Sequence, residues 1–164
     1  MKTLYIVRHA KSDWGHEGLK DIDRPLNSRG YGDAYLMSKK FLKEHGSPEL
    51  MVSSTAIRAI STAMIFARNF SYHENEILIL QHIYEVAAGT LKKVITEFDN
   101  TKNKIMLFGH NPGMTNLFND VSDSYIDNIP TCGMIGIEFD SNSWKTVFSE
   151  KGKTIFSDFP KEFK

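Results

Sequence analysis

Thr3-Leu4-Tyr5-Ile6-Val7-Arg8-His9 decides the reading of the fold. Five aliphatic, aromatic or β-branched residues run without a polar break, stop at a cation and an imidazole, and give way to a polar segment reaching Pro25. A half-exposed strand would alternate apolar and polar residues; a continuous run marks a strand covered on both faces, followed here by a long loop. The same signature recurs at Leu50 to Ser53, Ile77 to Leu80 and Ile105 to Phe108.

Between these runs the period changes to that of a helix. Asn27 or Ser28 can cap a helix over about 28 to 45, with Tyr31, Ala34, Tyr35, Met37, Phe41 and Leu42 at helical spacing and Gly46 at its end. Ala56, Ile60, Ala63, Met64 and Ala67 form a second stripe. Leu91, Val94, Ile95 and Phe98 form a third, over Thr90 to Phe98, and Pro112 suits the first position of a short fourth helix. Met134 to Phe139 and Trp144 to Phe148 have strand chemistry with no helix between them, which predicts an edge hairpin or meander. Buried strands alternating with amphipathic helices predict a three-layer α/β/α architecture with a mostly parallel sheet and an antiparallel edge. No linker, low-complexity tract or repeat divides the chain, so residues 1–164 are expected to form a single domain. Strand order stays open.

Composition narrows the function. In 164 residues, 20 Lys and Arg balance 20 Asp and Glu, so no overall field draws a polyanion. Ile105 to Trp144 carries Asp120, Asp123, Asp127, Glu138 and Asp140 without a Lys or Arg, which argues against nucleic acid as a partner. The only cysteine, Cys132, rules out an internal disulfide and a zinc site built on several thiolates; a reducing cytoplasm is the expected setting. The first apolar run meets Arg8 too early for a signal peptide, and no stretch nears the ~20 apolar residues of a membrane span.

In a parallel sheet, ligands gather at the carboxyl ends of the strands. Strand one ends in Arg8-His9, strand two runs into Ser53-Ser54-Thr55-Ala56-Ile57-Arg58, and strand four ends in Gly109-His110-Asn111-Pro112-Gly113. Two arginines beside two histidines repel a divalent cation and suit an oxyanion, because guanidinium forks match phosphate oxygens and stay charged. No metal and no cofactor is expected. A histidine nitrogen in such a pocket can act as a nucleophile towards phosphorus.

Arg8-His9-Ala10, Ser54-x-x-x-Arg58-Ala59-x-x-Thr62-Ala63 and Gly109-His110-Asn111-Pro112-Gly113 resemble the histidine phosphatase superfamily, with its phosphoglycerate-mutase-like fold. Arg8-His9-Ala10-Lys11-Ser12 with Asp23-Arg24-Pro25-Leu26-Asn27-x-Arg29-Gly30 is most similar to the small SixA-type phosphohistidine phosphatases. The resemblance spans residues 3 to about 117. It implies that His9 becomes phosphohistidine, that Arg8, Arg58 and His110 complete the phosphate pocket, that Ser12 is a further phosphate contact, and that Glu85 protonates the leaving group. Thr55 stands where the family often has proline, a change expected to be neutral.

The implied activity is metal-independent hydrolysis of phosphohistidine or another phosphoryl group on a protein. The alternative is a small-molecule phosphomonoesterase or phosphoglycerate-mutase-like enzyme, and a non-catalytic phosphoprotein-binding module comes third. Only 51 residues separate Arg58 from His110, which leaves little chain for a lid. Other features read as structural. His16, His45, His73 and His82 stand outside any motif, Asp21 and Asp23 fall in what reads as a solvated loop, and Cys132 reads as a half-buried strand residue without a Cys-x5-Arg loop. Gly152-Lys153-Thr154 lacks the earlier glycine of a phosphate loop, Val147 standing in its place.

Overall fold

The computed structural model describes all 164 residues. Six strands, β1 (Lys2–Arg8), β2 (Leu50–Ser54), β3 (Leu78–Leu80), β4 (Lys104–Gly109), β5 (Met134–Phe139) and β6 (Lys153–Asp158), form one sheet in the order β3-β2-β4-β1-β5-β6. β1, β4, β2 and β3 pair in parallel, whereas β5 is antiparallel to both β1 and β6. This is the three-layer α/β fold with an antiparallel edge that the apolar runs predict.

The two faces explain those runs. Leu4 and Ile6 of β1, with Ile105 and Leu107 of β4, pack into a core under α3 (Ala88–Thr96) and α4 (Gly113–Val121). Tyr5 and Val7, with Met106 and Phe108, pack on the other side under α1 (Ser28–His45) and α2 (Ile57–Phe70). Every β1 residue from Leu4 to Val7 is nearly inaccessible, so neither face can carry a polar side chain. The Asn27 side chain caps α1 by accepting from Gly30 N, as its position suggests.

Several boundaries differ from the sequence reading. α1 buries Ala34, Met37 and Phe41 but leaves Tyr31, Tyr35 and Leu42 exposed, since its buried stripe is narrower than its apolar one. α3 begins two residues before Thr90, and Pro112 sits at the N-cap of α4 instead of inside it. β3 is an edge strand, with Leu78 and Ile79 in solvent because only β2 flanks it.

The edge hairpin forms with a different second strand. Residues Trp144–Ser149 make a 3-10 helix because the Trp144 indole turns inwards, edge-on to Phe98 at 5.9 Å, and its Nε1 donates to Lys102 O at 2.6 Å. The strand beside β5 is Lys153–Asp158, whose alternating exposure suits a sheet edge. Cys132 is fully buried in a left-handed turn at φ 59° before β5, not half-buried in a strand.

Candidate active site

Strand register brings the two histidines together. β1 and β4 pair with Arg8 opposite Gly109, so His9 and His110 leave adjacent strand ends with ring centroids 5.2 Å apart. β2 flanks β4 on its other side, which brings Ser54 Oγ to 2.5 Å from His110 Nε2. Arg58 follows in the first turn of α2, and Glu85 follows the short turn after β3. Four strands thus supply one crevice at their carboxyl ends, as the topology of parallel sheets favours.

The crevice is a cleft of about 230 Å³. Arg8, His9, Ser12, Arg58, Glu85 and His110, all singled out from sequence, line it together. His9 Nδ1 lies 2.7 Å from the Ala10 carbonyl oxygen. A carbonyl only accepts, so Nδ1 carries the proton and Nε2 is left with its lone pair. Burial pushes His9 down to about 3, opposed by the Ala10 hydrogen bond and reinforced by His110, Arg58 and Arg8. Burial also holds His110 down at about 4, with Arg58 adding to it. Both rings are therefore neutral at physiological pH.

The arginines are anchored but not saturated. Arg8 Nη1 donates to Ile129 O at 2.9 Å, and burial and then Arg58 depress its pKa. Arg58 Nη1 donates to Asp21 O at 2.8 Å, while its Nη2 reaches Asp21 Oδ2 at 2.9 Å and Glu85 Oε1 at 3.0 Å. Arg8 Nε, Arg58 Nε and His110 Nδ1 are buried without a partner. Buried polar atoms are nearly always paired, so these three leave the cleft residues with hydrogen-bonding capacity that the protein itself does not use.

Asp21 is not the solvated loop residue its sequence position suggests. A 3-10 turn over Asp21–Asp23 carries it to the cleft, where it also accepts from Arg24 Nε at 3.1 Å and from the Tyr84 hydroxyl. Burial alone would raise its pKa, but the bonds from Tyr84 and Arg58 outweigh this and keep it ionised. Ser12 meets this network through its hydroxyl, which accepts from Arg24 Nη1 at 2.8 Å. Trp14, 73% exposed, lies over the Arg24 guanidinium at 3.4 Å. Asp21 and Tyr84 escape a sequence reading because Asp21 meets Arg58 across 37 residues and Tyr84 across 63, whereas Arg24 stands in the Asp23-Arg24-Pro25 string and finds Asp21, Ser12 and Trp14 within its own loop. His16, His45, His73 and His82 lie outside the cleft.

The family model for the histidine phosphatase superfamily, branch 1, matches residues 4–116. An uncharacterized chloroplastic protein of Arabidopsis thaliana is 28% identical over 159 residues, covering 92% of this chain and 72% of that protein. The candidate phosphohistidine phosphatase SixA from Agrobacterium tumefaciens superposes with TM-score 0.81 at 25% identity, covering 97% of this chain and 98% of that one. A protein histidine phosphatase SixA complexed with tungstate gives 0.84 at 16% identity, covering 99% of each chain. A mycobacterial glucosyl-3-phosphoglycerate phosphatase gives 0.71 at 13% identity, covering 95% and 98%. With the family pattern matched over more than half its length, the chain belongs to branch 1 of the histidine phosphatase superfamily.

Proposed function

We propose that residues 1–164 act as one histidine-phosphatase domain that removes a phosphoryl group from a protein, phosphohistidine foremost, without a metal. The observation that carries this is the His9 ring. Its Nδ1 proton is committed to the Ala10 carbonyl, and its Nε2 lone pair is free in a cleft shared with Arg8 and Arg58. Nε2 attacks phosphorus, the bond from phosphorus to the leaving nitrogen or oxygen breaks, and phosphohistidine forms on His9. The ring becomes cationic at that moment, and its Nδ1–H···O=C bond strengthens. Water then attacks the phosphoryl group, the P–N bond returns its pair to Nε2, and inorganic phosphate leaves.

Charge on the equatorial oxygens is balanced by Arg8 and Arg58, which do the electrostatic work a metal would do, while the neutral His110 ring offers a hydrogen bond beside them. Ser12 adds a polar contact to the same oxyanion. Glu85 at the rim is the donor from which a leaving alkoxide would draw its proton. An imidazole leaves as a neutral ring once its other nitrogen is protonated, so phosphohistidine asks less of Glu85. The tungstate complex of a SixA protein with the same fold supports an oxyanion pocket here. A short connection from Arg58 to His110 supports a protein-borne substrate, and a lone buried thiol at Cys132 supports a reducing compartment such as the cytoplasm.

Turnover of a phosphohistidine protein, compared with a panel of phosphorylated metabolites in excess chelator, tests the reading. Rapid quench with labelled substrate is expected to give acid-labile, alkali-stable label on His9. Label on His110, Ser54 or Glu85 would overturn the assignment of roles, and activity lost to chelator would overturn the metal-free mechanism. Preference for a metabolite would make the protein a small-molecule phosphomonoesterase.

A further inference from the structure

The cleft opens beside a second hollow. Thr131 lines the cleft and also lines a trough of about 480 Å³. The turn before β5 and the turn after β6 build its apolar wall from Pro130, Phe159 and Pro160. The wall offers few hydrogen-bond donors. Two of its residues are prolines without an N–H, and the Phe159 N–H already donates to Glu162 Oε1 at 2.8 Å. Arg29 and Lys161 stand exposed at its edge; Arg29 is loosely paired with Asp33 at 3.6 Å, and Lys161 makes no ion pair. Glu162, bound to the backbone, is the single carboxylate there.

We infer that this trough docks the polypeptide segment next to the phosphorylated residue. It seats an apolar side chain against Pro130, Phe159 and Pro160 and sets an acidic side chain against Arg29 and Lys161. The inference rests on the protein-phosphatase reading above and names the kind of protein substrate. Continuity through Thr131 carries it. The cleft offers about 230 Å³ at the phosphate site, and a polypeptide, unlike a small phosphorylated metabolite, must continue beyond its phosphorylated side chain. The cationic edge selects the sign of that continuation.

The test uses free phosphohistidine and two short peptides phosphorylated on one histidine, flanked by leucine with either glutamate or lysine. The wild-type protein is expected to favour the acidic peptide over the basic one. Arg29→Gln/Lys161→Glu should lower kcat/KM for the acidic peptide about tenfold, and Lys161→Glu alone about threefold, with free phosphohistidine unchanged. The single variant guards against misfolding caused by disturbing Asp33. Equal use of both peptides by the wild type, or equal losses on free phosphohistidine and peptide, would overturn the docking subsite while leaving the phosphatase reading intact. Hydrolysis of phosphorylated metabolites with none of phosphohistidine in any form would overturn the protein-phosphatase reading and the subsite with it. Self-association lost in the double variant would assign the trough to a second copy of the chain and overturn the inference.

Discussion

The two sides of the cleft are built differently. His9, His110, Ser54 and Arg58 leave strand ends or a helix start, and all four are nearly buried. Trp14, Asp21 and Arg24 sit on the loop between β1 and α1, which is joined to that frame by the pair of Asp21 with Arg58 and closed on itself by the bridge between Ser12 and Leu26. The first side owes its geometry to sheet register; the second owes it to ion pairs whose carboxylate is 40% exposed. Chemistry that needs fixed distances belongs on the sheet, and adaptation to a substrate belongs on the loop.

Substitutions on the two sides should differ by orders of magnitude. His9→Ala is expected to reduce turnover by on the order of 10⁶ while still binding vanadate, because the arginines supply the binding charge. Vanadate titration beside single-turnover kinetics checks both halves, and retention of a tenth of the activity would remove His9 as nucleophile. Arg58→Ala should lower kcat/KM by roughly 10²–10³, as loss of a preorganised charge at a developing anion does. Steady-state kinetics would show a much smaller loss if Asp21 and Glu85 held that guanidinium only for structure.

The neutral histidines predict a pH signature specific to the sheet side. Between their ordinary value of 6.5 and folded values of about 3 and 4, the unfolded chain binds protons that the native state refuses. Stability therefore falls as pH drops below 6.5, by at most about 1.4 kcal/mol per pH unit for each ring. Urea unfolding at pH 7.5 and 5 should show this loss, and His9→Gln should lose less. Because His9 stays neutral, kcat/KM in the free enzyme should not decline with an apparent pKa near 6.5. On the loop side, Trp14→Ala removes one exposed cation–π contact and should change kcat/KM for a small phosphate ester within about threefold. A loss of a hundredfold there would erase the distinction between the two sides.

The sheet side was the legible one. Apolar runs such as Ile105 to Phe108 are long enough to mark buried strands, and a polar residue directly after such a run has little choice but to sit at the strand end. The loop side was not. Asp21 reaches Arg58 across 37 residues of chain, and its local spacing is that of any acidic turn. β6 escaped for a related reason: Lys153–Asp158 alternates exposed and half-buried residues, and its pattern is weak beside the aromatic run at Trp144. The bulk and shape of Trp144 suit a strand, but its ring packs edge-on against Phe98 and the backbone there turns instead.

Gly30 carries a mechanical consequence. A methyl group on its α-carbon would stand 2.1 Å from the Lys11 carbonyl oxygen, which also accepts from Asn27 N at 3.0 Å. Helix α1 thus presses on the root of the loop with only a hydrogen atom of clearance, two residues beyond His9. That root behaves as a clamp and the exposed span from Gly15 to Leu19 as the arm of a lever. The arm can therefore be lengthened or retuned without moving His9, because the clamp stands between them.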